Sequence, residues 1–402
     1  YSFSLIICPY LSDGLLRGNS SGLSLLRANR ARTWQMSLLP LAALVHLAAG
    51  LAHASLDPAK AITQYVRQTW QAGSGLPHNT VMAMAQTADG YVWLGTEEGV
   101  ARFDGDRFTV FDKRNTPELR NDFIFSLLAD SQGNLWIGTR GGLTRYSKGR
   151  FQSFASPKGL PTESILALYE DTHGTIWIGT SGGGLVQYRD GSFHTFTTTS
   201  GLADNTVYAV TGDRYGALWI GTHNGLSKFS GGTFTSYRAA DGLGSDDVRA
   251  TYVDSAGTVW AGTNEGGLAR LGPGGFTRWT TKDGLSNNTV LSLYEDRSRT
   301  LWARTLGGGL NRIVNGQLVT LKNAASFGAE GIESIFEDRE GSLWFGTLAG
   351  GVTRLRDGPI TTISKEEGLV SDSVLAVYQD KEENVWIGSD QGLERLKDGR
   401  FT

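Results

Sequence analysis

Apolar and polar positions along most of the chain form short blocks separated by turns rich in Asp, Gly, Ser and Asn. In one sample block, Ser164–Glu170 is apolar on both faces, which predicts a buried strand. The next residues, Asp171–Gly174, have Asp first and Gly fourth, as in a type I turn. Two further strands, Thr175–Thr180 and Leu185–Tyr188, precede a more polar outer strand, Ser192–Phe196. Four antiparallel strands in one block predict one blade of a β-propeller.

This block occurs eight times, each time around a tryptophan. Consecutive tryptophans of the series are 41 to 43 residues apart, and a period of this length indicates a repeat architecture. One blade cannot bury both of its faces alone, so neighbouring blades are expected to stack around an axis. We expect the tryptophans to fill the space between blades as structural residues. They are Trp93, Trp136, Trp177, Trp219, Trp260, Trp302, Trp344 and Trp386.

The sequence leaves two ways of closing this all-β propeller. Eight inner strands are predicted, and the segment 64–70, before the first of them, has the pattern of an outer strand. Such a strand can close a ring by joining the last blade. One eight-bladed ring would use nearly the whole chain. A seven-bladed ring would leave the residues from Thr361 onward as the start of a second ring.

A basic residue also recurs along the predicted third strands, where it alternates with apolar residues. This pattern is typical of a strand side on which long charged side chains cover apolar surface with their stems. The third blade breaks the series with Gln187. The basic residues are Arg102, Arg145, Lys228, Arg270, Arg312, Arg354 and Arg395.

The N-terminal segment differs in kind from the repeats. Arginines within residues 27–32 precede a short apolar stretch over residues 38–45, and Ala52-His53-Ala54 follows. A basic region, a short apolar core and a small-x-small site are typical of an export signal. We therefore expect residues 1–54 to be an upstream segment with an export signal, an uncleaved anchor being the alternative. Residues 55–402 are expected to be propeller, with the eighth repeat continuing beyond the last residue.

Composition narrows the function classes. The net charge is −3 and there is no long basic run, so a surface that follows nucleic-acid phosphates is not expected. The single cysteine, Cys8, precedes the repeats, which therefore contain neither a disulfide nor a thiol nucleophile. The six histidines lack metal-ligand spacing, and the glycine-rich turns lack the Gly-Lys-Ser/Thr of a phosphate-binding loop. No catalytic residue, metal or cofactor is predicted.

One string in the repeat resembles a known family. The pattern Asp-x-x-Gly-x-Leu/Ile-Trp-Ile-Gly-Thr-x-x-Gly-Leu, as in Asp130–Leu143 and Asp213–Leu226, resembles the two-component regulator propeller repeat, and the resemblance covers about residues 62–402. It implies an exported sensor domain, non-catalytic in itself. Typical members have two seven-bladed propellers, an immunoglobulin-like domain, a membrane span and then a histidine kinase or a diguanylate cyclase. The resemblance therefore favours the seven-bladed closure.

The same resemblance implies a location and partners. We expect a periplasmic domain, tethered to the inner membrane by a span beyond Thr402, that binds a small molecule or a glycan and acts on a signalling module of the same chain. A homodimer is left open. Two other functions also remain open. One is a free exported enzyme resembling the streptogramin-lyase type, with His223 and Glu97 as the available acid–base pair, and the other is a protein-interaction platform.

Candidate binding residues lie on the loops that follow the second strands. The residue directly after the Thr or Ser of each loop differs between blades while its surroundings repeat, and such variation on a constant scaffold suits a binding mouth. An arginine that replaces the usual Gly in the sixth blade is added to these candidates because its guanidinium can bind a carboxylate or a phosphate. The candidates are Glu97, Arg140, Ser181, His223, Asn264, Arg304 and Asp390.

Overall fold

The computed structural model describes residues 5–7, 56, 60, 64–154, 159–162, 164–307, 309–314, 316–320, 331–358, 361–365, 368–397 and 400–402. These residues form two compact units, which are described separately. The ring unit comprises Ser55–Pro58 and Arg67–Arg356, and the eighth-sheet unit comprises Tyr1–Ala54, Ala59–Val66 and Asp357–Thr402. The expected export signal lies outside the described residues.

The chain forms eight four-stranded antiparallel sheets, as the all-β propeller prediction requires, and we number them in chain order. From inner to outer strand, sheet one has Val81–Gln86, Val92–Thr96, Gly99–Phe103 and Phe108–Phe111; sheet two has Ile124–Ala129, Leu135–Thr139, Gly142–Ser147 and Arg150–Phe154; and sheet three has Ile165–Glu170, Ile176–Thr180, Leu185–Arg189 and Ser192–Phe196. Sheet four has Val207–Gly212, Leu218–Thr222, Gly225–Ser230 and Thr233–Tyr237; sheet five has Val248–Val253, Val259–Thr263, Gly267–Gly272 and Gly275–Trp279; and sheet six has Val290–Glu295, Leu301–Thr305, Leu310–Val314 and Gln317–Thr320. Sheet seven has Ile332–Glu337, Leu343–Thr347, Val352–Arg356 and the early strand Val66–Trp70, and sheet eight has Val374–Gln379, Val385–Ser389, Gly392–Lys397 and Arg400–Phe401.

The ring closes after seven sheets, because the strand Val66–Trp70 is the outer strand of sheet seven. Sheet seven then packs against sheet one. The Ser334 hydroxyl donates to the carbonyl of Val81 over 2.8 Å, and the Arg339 backbone N–H donates to the Gln86 side chain over 2.8 Å. Of the two closures that the sequence left open, the structure has the seven-bladed one.

Each sheet is braced by a hydrogen bond between its tryptophan and the first residue of the turn six positions earlier. In sheets two to eight this residue is an aspartate, and the indole N–H donates to its carboxylate over 2.7 to 3.3 Å. In sheet one the acceptor is the hydroxyl of Thr87, at 2.9 Å. In sheet eight the Trp386 and Asn384 N–H groups lower the pKa of Asp380 to about 2. The aspartate turns thus also hold the indoles in place.

The tryptophans of the ring lie between neighbouring sheets. Trp93 packs with Leu119, Ile124 and Ile137 of sheet two, and Trp344 packs with Val81 and Leu94 of sheet one. Opposite most of these tryptophans on the third strand stands the basic residue of the repeat, which places its cation 5.2 to 5.9 Å from the indole in five sheets. The basic series therefore covers the indoles with charged side chains in a cation–π arrangement.

Inner strands also reach the next sheet at their ends. The Glu337 backbone N–H donates to the hydroxyl of Tyr294 over 3.2 Å, and the Tyr252 hydroxyl is hydrogen-bonded to the backbone of Glu295. Burial raises the pKa of Tyr252 to about 12 and also raises that of Tyr294. These hydroxyls are therefore neutral parts of the contacts between sheets.

Among the described residues, four short 3-10 helices precede inner strands on the side where those strands begin. Each ends at a glycine with positive φ, for example Gly201 at 98°, a conformation that a residue with a Cβ rarely adopts. An asparagine or aspartate seven residues beyond the helix start accepts the N–H of its first residue, as Asn205 does from Thr198 over 2.9 Å. The helices are Ala72–Ser74, Thr198–Ser200, Ala239–Asp241 and Thr281–Asp283.

The eighth-sheet unit contains sheet eight and a small antiparallel pair formed by Leu5–Ile7 and Thr361–Ile363. Its inner strand is exposed over most of its length, and Leu375, Tyr378 and Leu393 are 75%, 65% and 68% exposed. Across the described residues of the whole chain, helices are too short or too polar to cross a membrane.

Replacing Asp254 by alanine tests the bond between the turn and the indole. Asp254 accepts the indole N–H of Trp260 over 2.8 Å and the backbone N–H of Thr258 over 2.7 Å. Because hydrogen bonds to a charged group are strong, we expect the free energy of unfolding to fall by roughly 1.5–3 kcal/mol in denaturant titrations followed by tryptophan fluorescence. Thr87→Val, which removes the neutral acceptor of sheet one, should cost only about 0.5–1.5 kcal/mol. Equal losses in the two variants would contradict a special role for the carboxylate.

Buried tyrosine predicts a loss of stability in alkali. An unfolded tyrosine loses its proton near pH 10, whereas Tyr252 in the folded chain keeps its proton until about pH 12. Its contribution is therefore complete below pH 10 and disappears between pH 10 and 12, which corresponds to about 2–3 kcal/mol. Unfolding measured at closely spaced pH values should show this fall, and Tyr252→Phe should reduce it. Tyr215, which is 79% exposed, provides the control Tyr215→Phe, for which we expect the wild-type pH dependence.

Candidate functional site

The loops after the second strands and those before the inner strands meet on one side of the ring, which we call the mouth. In six of the seven ring sheets, two to seven, the residue after the repeated threonine donates its backbone N–H to the carbonyl of the residue just before the inner strand. These contacts are 2.8 to 3.1 Å long and involve Arg140, Ser181, His223, Asn264 and Leu306. Leu348 donates in the same way to Gly331 in sheet seven, at 2.8 Å. The threonine hydroxyl in turn holds the tight turn, as Thr222 does by donating to the carbonyl of Gly225 over 2.7 Å.

A central cavity of about 340 Å³ lies behind the mouth and is lined by inner strands of all seven ring sheets. The third residue of each inner strand is Ala or Ser. The second residue varies and lines the cavity in sheets two to seven, as Phe125, Leu166, Tyr208, Arg249, Leu291 and Glu333. Small residues therefore keep the backbone of the wall constant, and the second positions give the cavity its chemistry.

Sheets four and five bring a polar cluster to the mouth, which we call the Asp247 cluster. The Asp247 carboxylate accepts from the Arg249 guanidinium over 2.7 Å and from the Asn264 side chain over 3.2 Å. The His223 ring lies 3.7 Å from the other carboxylate oxygen, which is buried and has no hydrogen-bond partner in the described part of the chain. The Arg249 guanidinium stacks 4.2 Å above the ring of Tyr208. Burial raises the pKa of Tyr208, so this residue presents a neutral hydroxyl at neutral pH.

Sheets six and seven place a buried ion pair beside the cavity. The Arg304 guanidinium lies 3.1 Å from the Glu333 carboxylate, and their side chains are only 11% and 17% exposed. Burial lowers the pKa of Arg304 and raises that of Glu333, while each partner opposes the effect of burial on the other. Glu97 also raises the pKa of Glu333, because its negative charge lies nearby.

Arg304 occupies a position that is glycine in the other ring sheets. A Cβ on Gly138 would lie 2.7 Å from the Ile165 side chain of the next sheet, so a larger residue would clash there. The inner strands of sheets six and seven stand further apart than the other neighbouring pairs, which gives Arg304 its space. The structure thus combines an unusual residue with a widened contact between two sheets.

The remaining candidates lie around this site or away from it. The Arg140 guanidinium stacks 5.1 Å from the Phe123 ring, which in turn touches Phe125 of the cavity wall. Glu97 lies 4.0 Å from His78, and it shares no contact with His223, which belongs to sheet four. Ser181 is at the mouth of sheet three.

The last candidate, Asp390, lies on sheet eight, in the other unit. There it accepts a hydrogen bond from Ser371. In the described residues no group of three or more His, Cys, Asp or Glu side chains is arranged to hold a metal.

Sequence reasoning missed Tyr208, Arg249 and Glu333 because it looked for variation only in the loops. The variation that marks these residues lies in the inner strands. Arg249 and Glu333 are charged residues at the second position of otherwise apolar inner strands, and that position varies in a repeat whose third position stays small. Arg304, which was selected, contacts one of these missed residues.

A second cavity, of about 230 Å³, lies between sheets two and three at the aspartate turns, where the inner strands end. Its wall includes Asp130, Arg145, His173 and Asp190. The Asp130 carboxylate already accepts a hydrogen bond from the indole N–H of Trp136, and the Arg145 guanidinium donates to the Gln152 side chain over 2.6 Å. Two of its charged groups, Asp130 and Arg145, therefore serve contacts within sheet two.

Seven segments of the chain match the two-component regulator propeller repeat: residues 75–98, 118–141, 159–182, 201–224, 242–265, 326–349 and 368–391. The sixth sheet, with Arg304 in place of glycine, is the one whose tryptophan falls in none of these segments. No curated protein is detectably similar to the chain in sequence.

Several solved structures share the fold. The extracellular domain of the hybrid two-component system BT3049 from B. thetaiotaomicron has a TM-score of 0.64 at 21% identity, with 83% of this chain and 53% of that chain covered. A streptogramin B lyase has a TM-score of 0.59 at 17% identity, covering 74% and 99%. PorZ, a surface component of the type-IX secretion system of Porphyromonas gingivalis, has a TM-score of 0.57 at 18% identity, covering 78% and 51%. The chain thus spans about half the length of the BT3049 domain.

The ion pair of sheets six and seven makes a specific prediction about stability. Arg304→Met leaves Glu333 buried without its counter-charge, and we expect a loss of about 3 kcal/mol in the free energy of unfolding. The double variant Arg304→Met with Glu333→Leu should recover most of that loss, since no charge is then left unpaired. Arg107→Met, which breaks the exposed pair with Asp106, should cost less than about 1 kcal/mol. A double variant as unstable as Arg304→Met would show that lost packing, and not the unpaired carboxylate, causes the defect.

Proposed function

Since the chain is built from two-component regulator propeller repeats, we propose that it is the extracytoplasmic ligand-sensing domain of a signal-transduction receptor. In this proposal the ring binds a small molecule or a glycan at its mouth and performs no chemistry on it. The receptor is held at the inner membrane, and a histidine kinase or a diguanylate cyclase further along the same polypeptide produces the output. The extracellular two-component domain among the similar folds supports this proposal.

The asymmetry of the central cavity is the observation that carries the proposal. The scaffold contacts repeat from sheet to sheet, yet the second positions change from leucine to tyrosine, arginine and glutamate. The accessible surface of this wall is mostly polar, and its few oriented polar side chains, set among apolar ones, can fix the orientation of a bound molecule. Its volume lies at the lower end of the range for ligand pockets, which favours a small ligand or the terminal unit of a larger one.

Signal transfer requires a second element that responds to the ring, and sheet eight supports its presence. Leu143 of sheet two is fully buried because it packs against sheet three, whereas Leu393 at the equivalent position of sheet eight is 68% exposed. The exposed apolar face of sheet eight suits a further blade of the same kind. We propose that such blades form a second propeller, and that ligand binding shifts the population of its arrangements relative to the output module. Dimerisation of the receptor is part of this proposal, and nucleic acid is not a partner.

An exported lyase is the second candidate, because a streptogramin B lyase has the same fold. This candidate requires an acid–base pair in the mouth. His223 contacts Asp247 and Glu97 contacts His78, on sheets four and one. A direct assay decides between the two functions. If the chain is a sensor, a streptogramin B incubated with it should remain intact. Cleavage of the antibiotic that is lost in His223→Ala and Glu97→Ala would establish the lyase.

Ligand screening against a cavity-filled variant tests the sensor. Metabolites and oligosaccharides are added to the purified chain and the unfolding midpoint is measured. A ligand present at a hundred times its Kd should stabilise the fold by about 2.7 kcal/mol. Leu166→Trp fills the cavity from sheet three and should abolish this shift. Val319→Trp, on the outer strand of sheet six, is the matched control and should respond like the wild type. A shift that survives in Leu166→Trp would place the ligand elsewhere and contradict the proposal.

A further inference from the structure

The cavity wall carries two charges of opposite sign among apolar and aromatic neighbours. Of the six second positions that line it, only Arg249 on sheet five and Glu333 on sheet seven are charged. Sheet six separates them and contributes Leu291 to the same level of the wall. The other positions at this level are Phe125, Leu166 and Tyr208.

Each of the two charges is held from outside the cavity by a counter-charge. Asp247 holds Arg249 through a single guanidinium nitrogen, and Arg304 holds Glu333 through a single carboxylate oxygen. Neither Asp247 nor Arg304 lines the cavity. Such support fixes the direction of each charged group, while its remaining donors or acceptors stay available.

The available atoms differ in kind at the two ends. The second carboxylate oxygen of Glu333, Oε1, has no hydrogen-bond partner among the described residues, and the same is true of Nη1 of Arg249. The wall therefore offers an acceptor with negative charge at sheet seven and a donor with positive charge at sheet five. Glu97 adds further negative potential near Glu333.

We infer that the cavity binds a small zwitterion with an apolar side chain, the chemistry of an apolar amino acid or a short peptide of such residues. Its ammonium group bonds to Glu333, its carboxylate bonds to Arg249, and its side chain packs against Phe125 and Leu166. This inference rests on the proposed ligand-binding function of the cavity and specifies the class of ligand.

The size of the cavity agrees with such a ligand. A volume of about 340 Å³ is at the lower limit of small-molecule sites, and a long oligosaccharide would have to remain largely outside it. The charge pattern also separates zwitterions from singly charged molecules. A ligand without the ammonium gives Glu333, which lies near the negative charge of Glu97, no new counter-charge. A ligand without the carboxylate leaves the free donors of Arg249 without an acceptor.

Three probes with one carbon skeleton test the inference on the unmodified chain by isothermal titration calorimetry. L-Leucine carries both charges, 4-methylpentanoate lacks the ammonium and 3-methylbutylamine lacks the carboxylate. Since a charge-assisted hydrogen bond is worth about 1.5–3 kcal/mol, we expect each analogue to bind about ten- to a hundredfold more weakly than L-leucine. Binding of L-leucine no tighter than that of either analogue, or no binding of any probe, would overturn the inference.

Two substitutions assign the ends of the ligand. Glu333→Gln should weaken the binding of L-leucine and 3-methylbutylamine and leave the affinity for 4-methylpentanoate unchanged. Arg249→Gln should weaken the binding of L-leucine and 4-methylpentanoate and leave the affinity for 3-methylbutylamine unchanged. Arg270→Gln removes a cation from the third strand of sheet five, outside the cavity wall, and should change none of the three affinities. Equal weakening of all probes in both cavity variants would contradict the assignment.

Failure of this inference can be told apart from failure of the proposed function. Suppose that L-leucine does not bind, whereas a neutral ligand from the screen binds the wild type and not Leu166→Trp. The cavity is then a sensor site, and the inference that its ligand is a zwitterion is wrong. If neither L-leucine nor any screened compound gives a response that Leu166→Trp removes, both proposals are wrong.

Discussion

The ring depends on one short contact, the hydrogen bond from each tryptophan indole to the turn residue six positions before it. The turn residue, an aspartate in every sheet but the first, holds the indole, and the indole then packs against the next sheet, as Trp93 and Trp344 do. A basic residue on the third strand covers the indole from the side. Because the same contact is repeated in every sheet, the ring can tolerate change in its loops and in part of its inner strands.

The scaffold and the candidate site occupy different positions of the same strand. In the inner strand the first residue packs against the glycine of the preceding sheet, the third is small, and the second faces the cavity. The second position can therefore vary without disturbing the packing, and it does so from Leu166 to Arg249 and Glu333. Sheet six is the exception, since Arg304 replaces glycine at a packing position where the inner strands of sheets six and seven are less closely packed, and it reaches Glu333 there.

Much of the fold could be predicted from the sequence, but only part of the site. The four strands of each blade follow from local patterns. Of the predicted binding residues, His223 and Asn264 both contact the Asp247 carboxylate, and their role in binding stays a prediction. The cavity wall was missed because periodicity marks an inner strand as buried on both faces and cannot tell a face that packs on a sheet from one that borders a cavity. Asp390 follows the same local pattern as the other candidates, yet it belongs to a sheet outside the ring.

The sequence by itself determined the blade, because the bonds that define it join residues close in the chain. The aspartate and tryptophan are six residues apart, and the threonine and glycine of the mouth turn are three or four apart. Only the tertiary structure decided the number of blades in the ring. That number depends on the strand Val66–Trp70 joining sheet seven, where the hydroxyls of Thr69 and Thr353 meet at 3.0 Å across 284 residues of chain. The outer strand carries the same pattern whichever blade it joins, so its partner is selected by the curvature of the stacked sheets and not by any local signal.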